Sequence, residues 1–257
     1  MERTPTGIDG FDELIEGGFP KGSFVVVSGG PGSGKTIFAT QFIANGVQKF
    51  NQKCLYISAE QTRDEIISQA MQFGWDLEMM ERENLLKIFD LDAQRLFEIS
   101  KIDEIKNLIH TDDYQRIVID SITSFIYASI SPSSIANGLD VGIQPSSFLE
   151  LSKSNATRLI DLIKKSGITC MGIAQKIEGL PGDTLDNVSQ FRGDGLIVLN
   201  YATIGKNLNR NIQVKKLRKT KIDGIPHNFS FTEEGITFES KMKTADQSSQ
   251  EIPVNTY

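Results

Sequence analysis

The 257-residue sequence contains few of the features that mark secreted, membrane-spanning or disulfide-stabilised proteins. It has only two cysteines, Cys54 and Cys170, and each lies in an apolar run typical of a buried strand. Unbridged core thiols are therefore expected, and they favour a reducing compartment, the cytoplasm. No apolar run approaches the roughly 20 residues that a membrane-spanning helix needs, and the polar beginning lacks the apolar core of a signal peptide.

Positive charge is also scarce. The chain has 27 Lys and Arg against 33 Asp and Glu, which gives a formal net charge of −6. Nucleic-acid-binding proteins usually carry a clear basic footprint, so this balance disfavours, without excluding, nucleic acid as the partner. One local exception is a basic cluster formed by Lys215, Lys216, Arg218, Lys219 and Lys221.

Apolar runs typical of strands alternate with amphipathic stretches typical of helices. The predicted strands in the first two thirds of the chain are 24–27, 54–57, 85–89, 117–119 and 168–173. Near-continuous apolar strands between amphipathic helices predict the α/β class, with a mostly parallel central sheet covered on both faces. After residue 195, short strands at 196–199, 212–217, 229–231 and 236–238 follow without helices, so antiparallel hairpins should extend the sheet.

Domain organisation is expected to be simple. No internal repeat and no linker divides the sequence, so residues 1–240 are predicted to form one domain. Residues 129–146, rich in Ser, Pro and Gly, predict a loop after a strand. Residues 241–257 lose apolar periodicity and predict a disordered tail.

The most specific motif runs from Gly29 to Thr36 and fits G-x-x-x-x-G-K-[ST] between a predicted strand and a predicted helix. Its backbone N–H groups and the following helix N-terminus form a cradle for phosphates. Lys35 is expected to reach the β- and γ-phosphates, and the Thr36 hydroxyl to bind Mg²⁺. The alternative, a chance match in a Gly-rich turn, is disfavoured by the flanking strand and helix. The predicted nucleotide-binding residues are Gly30, Pro31, Gly32, Ser33, Gly34, Lys35, Thr36 and Ile37.

Asp120 ends the apolar run Ile117-Val118-Ile119 and is a candidate second ligand for Mg²⁺. Asp is common at strand ends, so the position alone is weak evidence. Its combination with Lys35 and Thr36 in an alternating α/β pattern favours a Walker B role, with the carboxylate reaching the metal directly or through water.

Two polar residues at further strand ends are candidates for the chemistry of hydrolysis. Glu60 follows the second strand and could accept a hydrogen bond from a water aligned with the γ-phosphate. The alternative is that Glu60 caps a helix beginning near Thr62, since acidic residues favour helix N-termini. Gln175 closes the fifth strand and could sense the γ-phosphate, although a plain polar strand end is an equally good interpretation.

Together these motifs resemble the RecA-type P-loop ATPases, and among them the KaiC-like family. The resemblance covers about residues 4–239 and rests on the segment 4–22, the phosphate loop, Phe73-Gly74-Trp75-Asp76, Ile119-Asp120-Ser121 and Lys216-Leu217-Arg218. It implies a RecA-like fold, binding of ATP and Mg²⁺, and a homo-oligomer, a hexameric ring, with nucleotide between subunits.

The resemblance also gives Lys216 and Arg218 a role. Alternate strand residues share a face, so both cations are expected on one side, where they would act in trans on the neighbouring subunit's nucleotide. The alternative is an exposed basic strand that protects a sheet edge. Three departures matter. Gln61 stands where the family commonly has a second glutamate, which suggests slow hydrolysis. Lys219 replaces the usual glycine, and one ATPase unit is present where the family's namesake has two in tandem.

The favoured function is a Mg-dependent ATPase acting as a regulatory or signalling switch through protein partners, whose identity the sequence does not give. A recombinase- or helicase-type motor on single-stranded DNA is the first alternative. It is disfavoured because loop 129–146 has Asp140 as its only charge and loop 176–193 mixes both signs. A nucleotide-binding scaffold with little turnover is the second.

Overall fold

The computed structural model describes residues 1–91, 99–127, 145–177, 182–186, 188–204 and 207–238. Its elements in chain order are β1 (Arg3–Thr4), a 3-10 helix (Asp12–Ile15), β2 (Phe19–Pro20), β3 (Phe24–Gly29), α1 (Lys35–Phe50), β4 (Cys54–Ser58), α2 (Arg63–Met71), α3 (Leu77–Arg82), β5 (Leu86–Asp90), α4 (Ile99–Thr111), β6 (Arg116–Asp120), α5 (Ile122–Tyr127), α6 (Pro145–Ser166), β7 (Thr169–Gln175), α7 (Ser189–Arg192), β8 (Gly195–Ile204), β9 (Asn207–Leu217), β10 (Pro226–Thr232) and β11 (Gly235–Phe238).

The main sheet has nine strands in the order β11-β10-β9-β8-β3-β7-β6-β4-β5. The six strands from β8 to β5 are parallel, and β9, β10 and β11 join the β8 edge by antiparallel pairing. The predicted α/β class, with a mostly parallel sheet and C-terminal hairpins, is confirmed. Because β3, β6 and β7 are parallel, the phosphate loop that follows β3 lies at the same edge of the sheet as Asp120 and Gln175, the last residues of β6 and β7.

Both faces of the sheet are covered by helices. On one face α1 buries Phe38, Phe42 and Ile43 against the strands. On the other, α6 buries Leu159 and Ile160 in a second cluster that also takes in α4. This double coverage explains why the parallel strands are apolar at successive positions rather than alternating.

The structure corrects several predicted boundaries. β8 and β9 extend beyond the predicted ranges 196–199 and 212–217. Residues 207–211 are mostly polar, and residues 200–204 mix polar and apolar side chains, so neither segment continues the apolar run of its strand. α6 begins at Pro145, so the last two residues of the predicted loop 129–146 are helical; proline is favoured at a first helical position. The short helices α3, α5 and α7 were not predicted because one or two turns show little periodicity.

Several predictions fall wholly or partly outside the described residues. Most of loop 129–146 and the tail 241–257 lie there, and the single domain over 1–240 stays a prediction. Cys54 and Cys170 are buried and unbridged, as expected for core thiols. Within the described ranges, no helix is both long and apolar enough to span a membrane.

One fully buried cation holds the N-terminal segment onto this core. Arg116, at the start of β6, has no exposed surface. Its guanidinium donates to the carbonyl oxygens of Phe42 at 2.9 Å and Pro5 at 2.7 Å, and its Nε donates to the side chain of Gln52. It also lies over the rings of Phe42 and Phe50, at 4.5 and 5.0 Å. Burial lowers the pKa of Arg116 to about 10.

We expect Arg116→Ala to lower the free energy of unfolding by about 3–5 kcal/mol, because it removes three hydrogen bonds and opens a cavity. Urea denaturation measures this loss. Arg82→Ala, at an exposed position in α3, is the matched control and should change stability by less than about 0.5 kcal/mol. Similar stability of the two variants would show that the Arg116 contacts are not a principal support of the fold.

Candidate functional site

The phosphate loop connects β3 to α1, which begins at Lys35. Gly32 and Gly34 have φ angles of 74° and 100°, in the left-handed region that favours glycine. A Cβ at Gly34 would also come within 2.8 Å of the Phe231 ring. Lys35 folds back over the loop, and its Nζ donates to the Gly30 carbonyl at 2.8 Å. The backbone therefore has the curled form that a phosphate cradle needs.

The remaining predicted nucleotide-binding residues complete the loop. Pro31 lines the cavity beside it, with Gly32, Lys35 and Thr36. Ser33 is buried, and its hydroxyl is one of the few buried side-chain oxygens of the described residues with no hydrogen-bond partner. Ile37 packs against the core and fixes the first turn of α1.

Asp120 is the last residue of β6, and its carboxylate lies at the N-terminus of α1. Its Oδ2 accepts hydrogen bonds from the Thr36 hydroxyl at 2.9 Å and from the Tyr56 hydroxyl at 3.0 Å. Asp120 is 2 % exposed. Burial and then the neighbouring Glu60 raise the pKa of Asp120 to about 6, against the opposing effects of Thr36, Tyr56 and Lys35. Burial also lowers the pKa of Lys35, although Asp120 and Glu60 oppose that change.

Asp120 should make the ligand-free protein less stable at high pH. Its raised pKa means that the folded state binds more protons than the unfolded chain between about pH 4 and 6. The stabilising contribution of the neutral carboxyl is therefore complete below that window and is lost as pH rises through 6. Asp120→Asn keeps an oxygen acceptor for Thr36 and Tyr56, so we expect it to gain about 1–3 kcal/mol at pH 8 and little at pH 4. Urea titrations with EDTA measure this difference; a variant less stable than the parent at pH 8 would contradict it.

Glu60 lies two residues beyond β4 and is held from three sides. Its Oε1 accepts hydrogen bonds from Ser124 Oγ at 2.6 Å, from Gln175 Nε2 at 3.0 Å and from Ser121 Oγ. The capping alternative is wrong, because Thr62 caps α2 and forms a capping box with Glu65. The structure thus brings Gln175 and Glu60 together.

These residues surround one cavity of about 640 Å³. The residues lining it are Gly29, Pro31, Gly32, Lys35, Thr36, Glu60, Asp120, Gln175, Lys176, Ile177 and Tyr201. The predicted site residues that line this space are Pro31, Gly32, Lys35, Thr36, Glu60, Asp120 and Gln175. The volume fits a polyphosphate group.

Lys216 and Arg218 lie elsewhere. Leu217 is buried in the core and pairs with Gly195, which pairs with Val25 near the start of β3. Four residues of strand, roughly 13 Å, thus separate this end of β9 from Gly29 and the phosphate loop. Within one chain these two cations and the cavity occupy opposite edges of the sheet.

The two cations lie near each other, although Arg218 follows the last residue of β9. Lys216 Nζ donates to the Gly193 carbonyl at 2.7 Å and to the Gln190 carbonyl at 3.3 Å, at the end of α7. Arg218, whose side chain is 57 % exposed, lies 3.3 Å from Asp194. Burial and then Arg218 lower the pKa of Lys216. Arg218 is thus the freer of the two cations.

Sequence reasoning missed three residues of the site. Tyr56 was treated only as a strand residue, although its alternation with Cys54 places it on the α1 face, and Ser124 and Lys176 received no role. The signal for Tyr56 was a hydroxyl within an otherwise apolar strand, which needs a buried partner. Ser124 and Lys176 gave no comparable signal.

The donor set fits Mg²⁺ and a triphosphate. Thr36 and Asp120 offer a hydroxyl and a carboxylate oxygen 2.9 Å apart, and Mg²⁺ prefers oxygen ligands supplied by one or two side chains and the substrate phosphates. Over the described part of the chain, no group of three or more His, Cys, Asp or Glu could hold a metal by itself.

Comparison with known proteins agrees with this geometry. The family model described as "ATPase: KaiC" matches residues 4–136 and 143–243. The circadian clock oscillator protein KaiC of Synechococcus elongatus is 30 % identical over 239 residues, which are 90 % of this chain and 43 % of that protein. The UPF0273 protein MJ1359 of Methanocaldococcus jannaschii is 30 % identical over 92 % of this chain and 96 % of its own length.

A solved structure shows the same fold. The KaiC-like protein PH0186 of Pyrococcus horikoshii superposes with a TM-score of 0.76 at 26 % identity, over 93 % of this chain and 99 % of that one. The chain spans less than half the length of the clock proteins that it matches, but almost all of the two archaeal proteins.

Proposed function

This chain belongs to the KaiC family of ATPases, and we propose that it binds ATP with Mg²⁺ and hydrolyses it slowly at an interface between identical subunits. The single observation that carries the proposal is the hydrogen bond from Thr36 to Asp120. It lies beside Lys35, directly after a loop whose Gly32 and Gly34 have positive φ angles. A buried carboxylate 2.9 Å from a helix-terminal hydroxyl is costly without a cation, and a bound metal would compensate that cost.

Each residue of the cavity has a part in this proposal. The backbone N–H groups of residues 30–37 and the Lys35 amine bind the β- and γ-phosphates. Thr36 and Asp120 bind Mg²⁺. When bound, Mg²⁺ neutralises charge on the phosphate oxygens. Glu60, fixed through Oε1, leaves Oε2 for a water behind the γ-phosphate. Gln175 bridges the terminal phosphate region to Glu60 and thereby acts as a sensor.

Lys216 and Arg218 complete the site from a neighbouring copy. They lie at the edge of the sheet opposite the cavity, so one subunit cannot apply both sets of residues to the same nucleotide. In a ring, the exposed Arg218 of one subunit can face the phosphates bound by the next subunit, so that both sets of residues act on the same nucleotide. The ring that we propose is a hexamer. Positive charge there would stabilise the charge that develops during hydrolysis.

The output that we propose is a regulatory or signalling switch in the cytoplasm, in which the nucleotide state alters contacts with a protein partner. The buried, unbridged thiols fit a reducing compartment. A DNA motor is less well supported. On the described part of loop 176–193, Phe191 is the one exposed aromatic side chain, and the cations Lys176 and Arg192 lie within ion-pair distance of Asp183 and of Asp161 in α6.

Phosphate release tests the proposal directly. The parent protein, given ATP with Mg²⁺, should release phosphate at a rate that EDTA reduces to background. Single-stranded DNA at low salt should change that rate by less than about twofold, whereas a DNA motor would be strongly stimulated. Release that persists in EDTA would contradict the metal assignment. ATP binding with Mg²⁺ but without release would support the scaffold alternative.

A further inference from the structure

Lys176 is a second cation of the same chain in the phosphate cavity, directly after Gln175. Its backbone N–H donates to the Gly29 carbonyl at 3.1 Å, which fixes the residue beside the start of the phosphate loop. Its side chain is 24 % exposed. A lysine at this position can approach anything that the loop holds.

The amine of Lys176 is held only loosely. Its Nζ lies 3.3 Å from Asp183 Oδ1, whereas Lys215 Nζ lies 2.8 and 3.0 Å from the two oxygens of the same carboxylate. Burial raises the pKa of Asp183, but Lys215 and then Lys176 outweigh that effect and leave the pKa below its usual value. Asp183 therefore keeps a charged partner if Lys176 moves away.

The main chain around Asp183 is fixed independently of this ion pair. Ser28 donates its hydroxyl to the Asp183 carbonyl, and the Leu185 N–H donates to the Gln175 carbonyl at 2.8 Å. A change of partner by Lys176 thus requires only side-chain rotation, without movement of the segment that carries Asp183.

The charges of the cavity favour such a change. Lys35 and Lys176 are the cations that line it, against the carboxylates of Glu60 and Asp120. A nucleoside triphosphate adds several negative charges, and lysine commonly binds phosphate as a point charge. The terminal phosphate would lie toward Glu60, whose Oε1 is bound by Gln175, the residue before Lys176.

We propose that Lys176 exchanges Asp183 for the terminal phosphate of a bound nucleoside triphosphate, and thereby distinguishes ATP from ADP. This inference rests on the proposed function of the cavity. It makes Lys176 a specificity residue acting in cis, separate from the trans cations, and makes Asp183 its competing partner when no γ-phosphate is present.

Equilibrium binding of Mg-ATP and Mg-ADP to two variants tests the inference, because it predicts effects of opposite sign. Lys176→Gln should weaken Mg-ATP binding by roughly tenfold or more, with Mg-ADP changed by less than about twofold. Asp183→Asn removes the competitor and should strengthen Mg-ATP binding several-fold, again without effect on Mg-ADP. Lys215→Gln is the matched control. It leaves Lys176 as the one lysine that contacts Asp183, so Lys176 should be released less readily and Mg-ATP binding should weaken slightly.

A purely structural ion pair would give a different pattern. Both variants would then shift ATP and ADP affinity equally, or in the same direction, and either result overturns the inference. Lys176→Arg keeps the charge and must keep the preference for ATP. This variant still tests the inference if Lys176→Gln does not fold. Failure of the parent protein to bind Mg-ATP would overturn the proposed function itself and the inference with it, while normal parent binding with an unselective Lys176→Gln would overturn the inference alone.

Discussion

Glu60→Gln should lower phosphate release by about 100-fold or more, because a positioned carboxylate that assists the attacking water contributes on that scale. The amide oxygen of Gln can still accept the hydrogen bonds that Ser121, Ser124 and Gln175 donate, so the fold should be unchanged. Mg-ATP should bind as tightly as to the parent or more tightly, since a negative charge has been removed beside the phosphates.

The control for this variant is Glu65→Gln. Glu65 belongs to the capping box of α2, where Gln serves as well as Glu, and it does not line the cavity. Its phosphate release should equal that of the parent. If Glu60→Gln retained more than about half of the parent rate, Glu60 would not be the residue that orients water. The neighbouring Gln61 is uncharged and cannot serve as the base in its place, so hydrolysis would have to use a different residue.

Arg218→Ala should abolish turnover, with an expected loss of at least about 100-fold, because a cation supplied by a neighbouring subunit can contribute 10³–10⁵. The monomer should stay folded, since the Arg218 side chain is 57 % exposed and its ion pair with Asp194 is long. Arg82→Ala is the control for a lost surface arginine and should leave the rate unchanged. Light scattering with and without Mg-ATP gives the size of the assembly in each sample.

Mixing two inactive variants separates a trans role from a cis role. When Arg218→Ala and Glu60→Gln subunits are combined, some interfaces join an intact Glu60 on one side to an intact Arg218 on the other. Part of the parent rate should therefore return on mixing. A full rate in Arg218→Ala alone, or no recovery in the mixture, would rule out the intersubunit site.

The parts of the fold that were predictable depend on local patterns. β3, β4, β6 and β7 are nearly continuous apolar runs because helices cover both faces of the sheet, and that signal survives without knowledge of the partners. The phosphate loop is likewise local, since its glycines, Lys35 and Thr36 are contiguous. The mixed end of β8 and the mostly polar start of β9 did not continue the apolar runs of these strands, and those boundaries were missed.

Contacts between distant residues were harder to foresee. Tyr56 reaches Asp120 because β4 lies next to β6 in the sheet, and alternation of strands and helices does not determine that order. Arg116 at the start of β6 gives no sign in the sequence that it will be enclosed by Pro5 and Phe42. Lys176 and Asp183 are seven residues apart in the sequence, and no apolar periodicity around them predicts their contact.

We propose above all that the backbone of residues 30–36 and the Lys35 amine bind the phosphates of ATP beside Mg²⁺. Titration calorimetry of the parent and of Lys35→Ala with Mg-ATP tests it, with Lys106→Ala on the exposed surface of α4 as the control. We expect the parent and Lys106→Ala to bind equally and Lys35→Ala to bind about 100-fold more weakly or not at all. Equal affinity of Lys35→Ala and the parent would contradict the account.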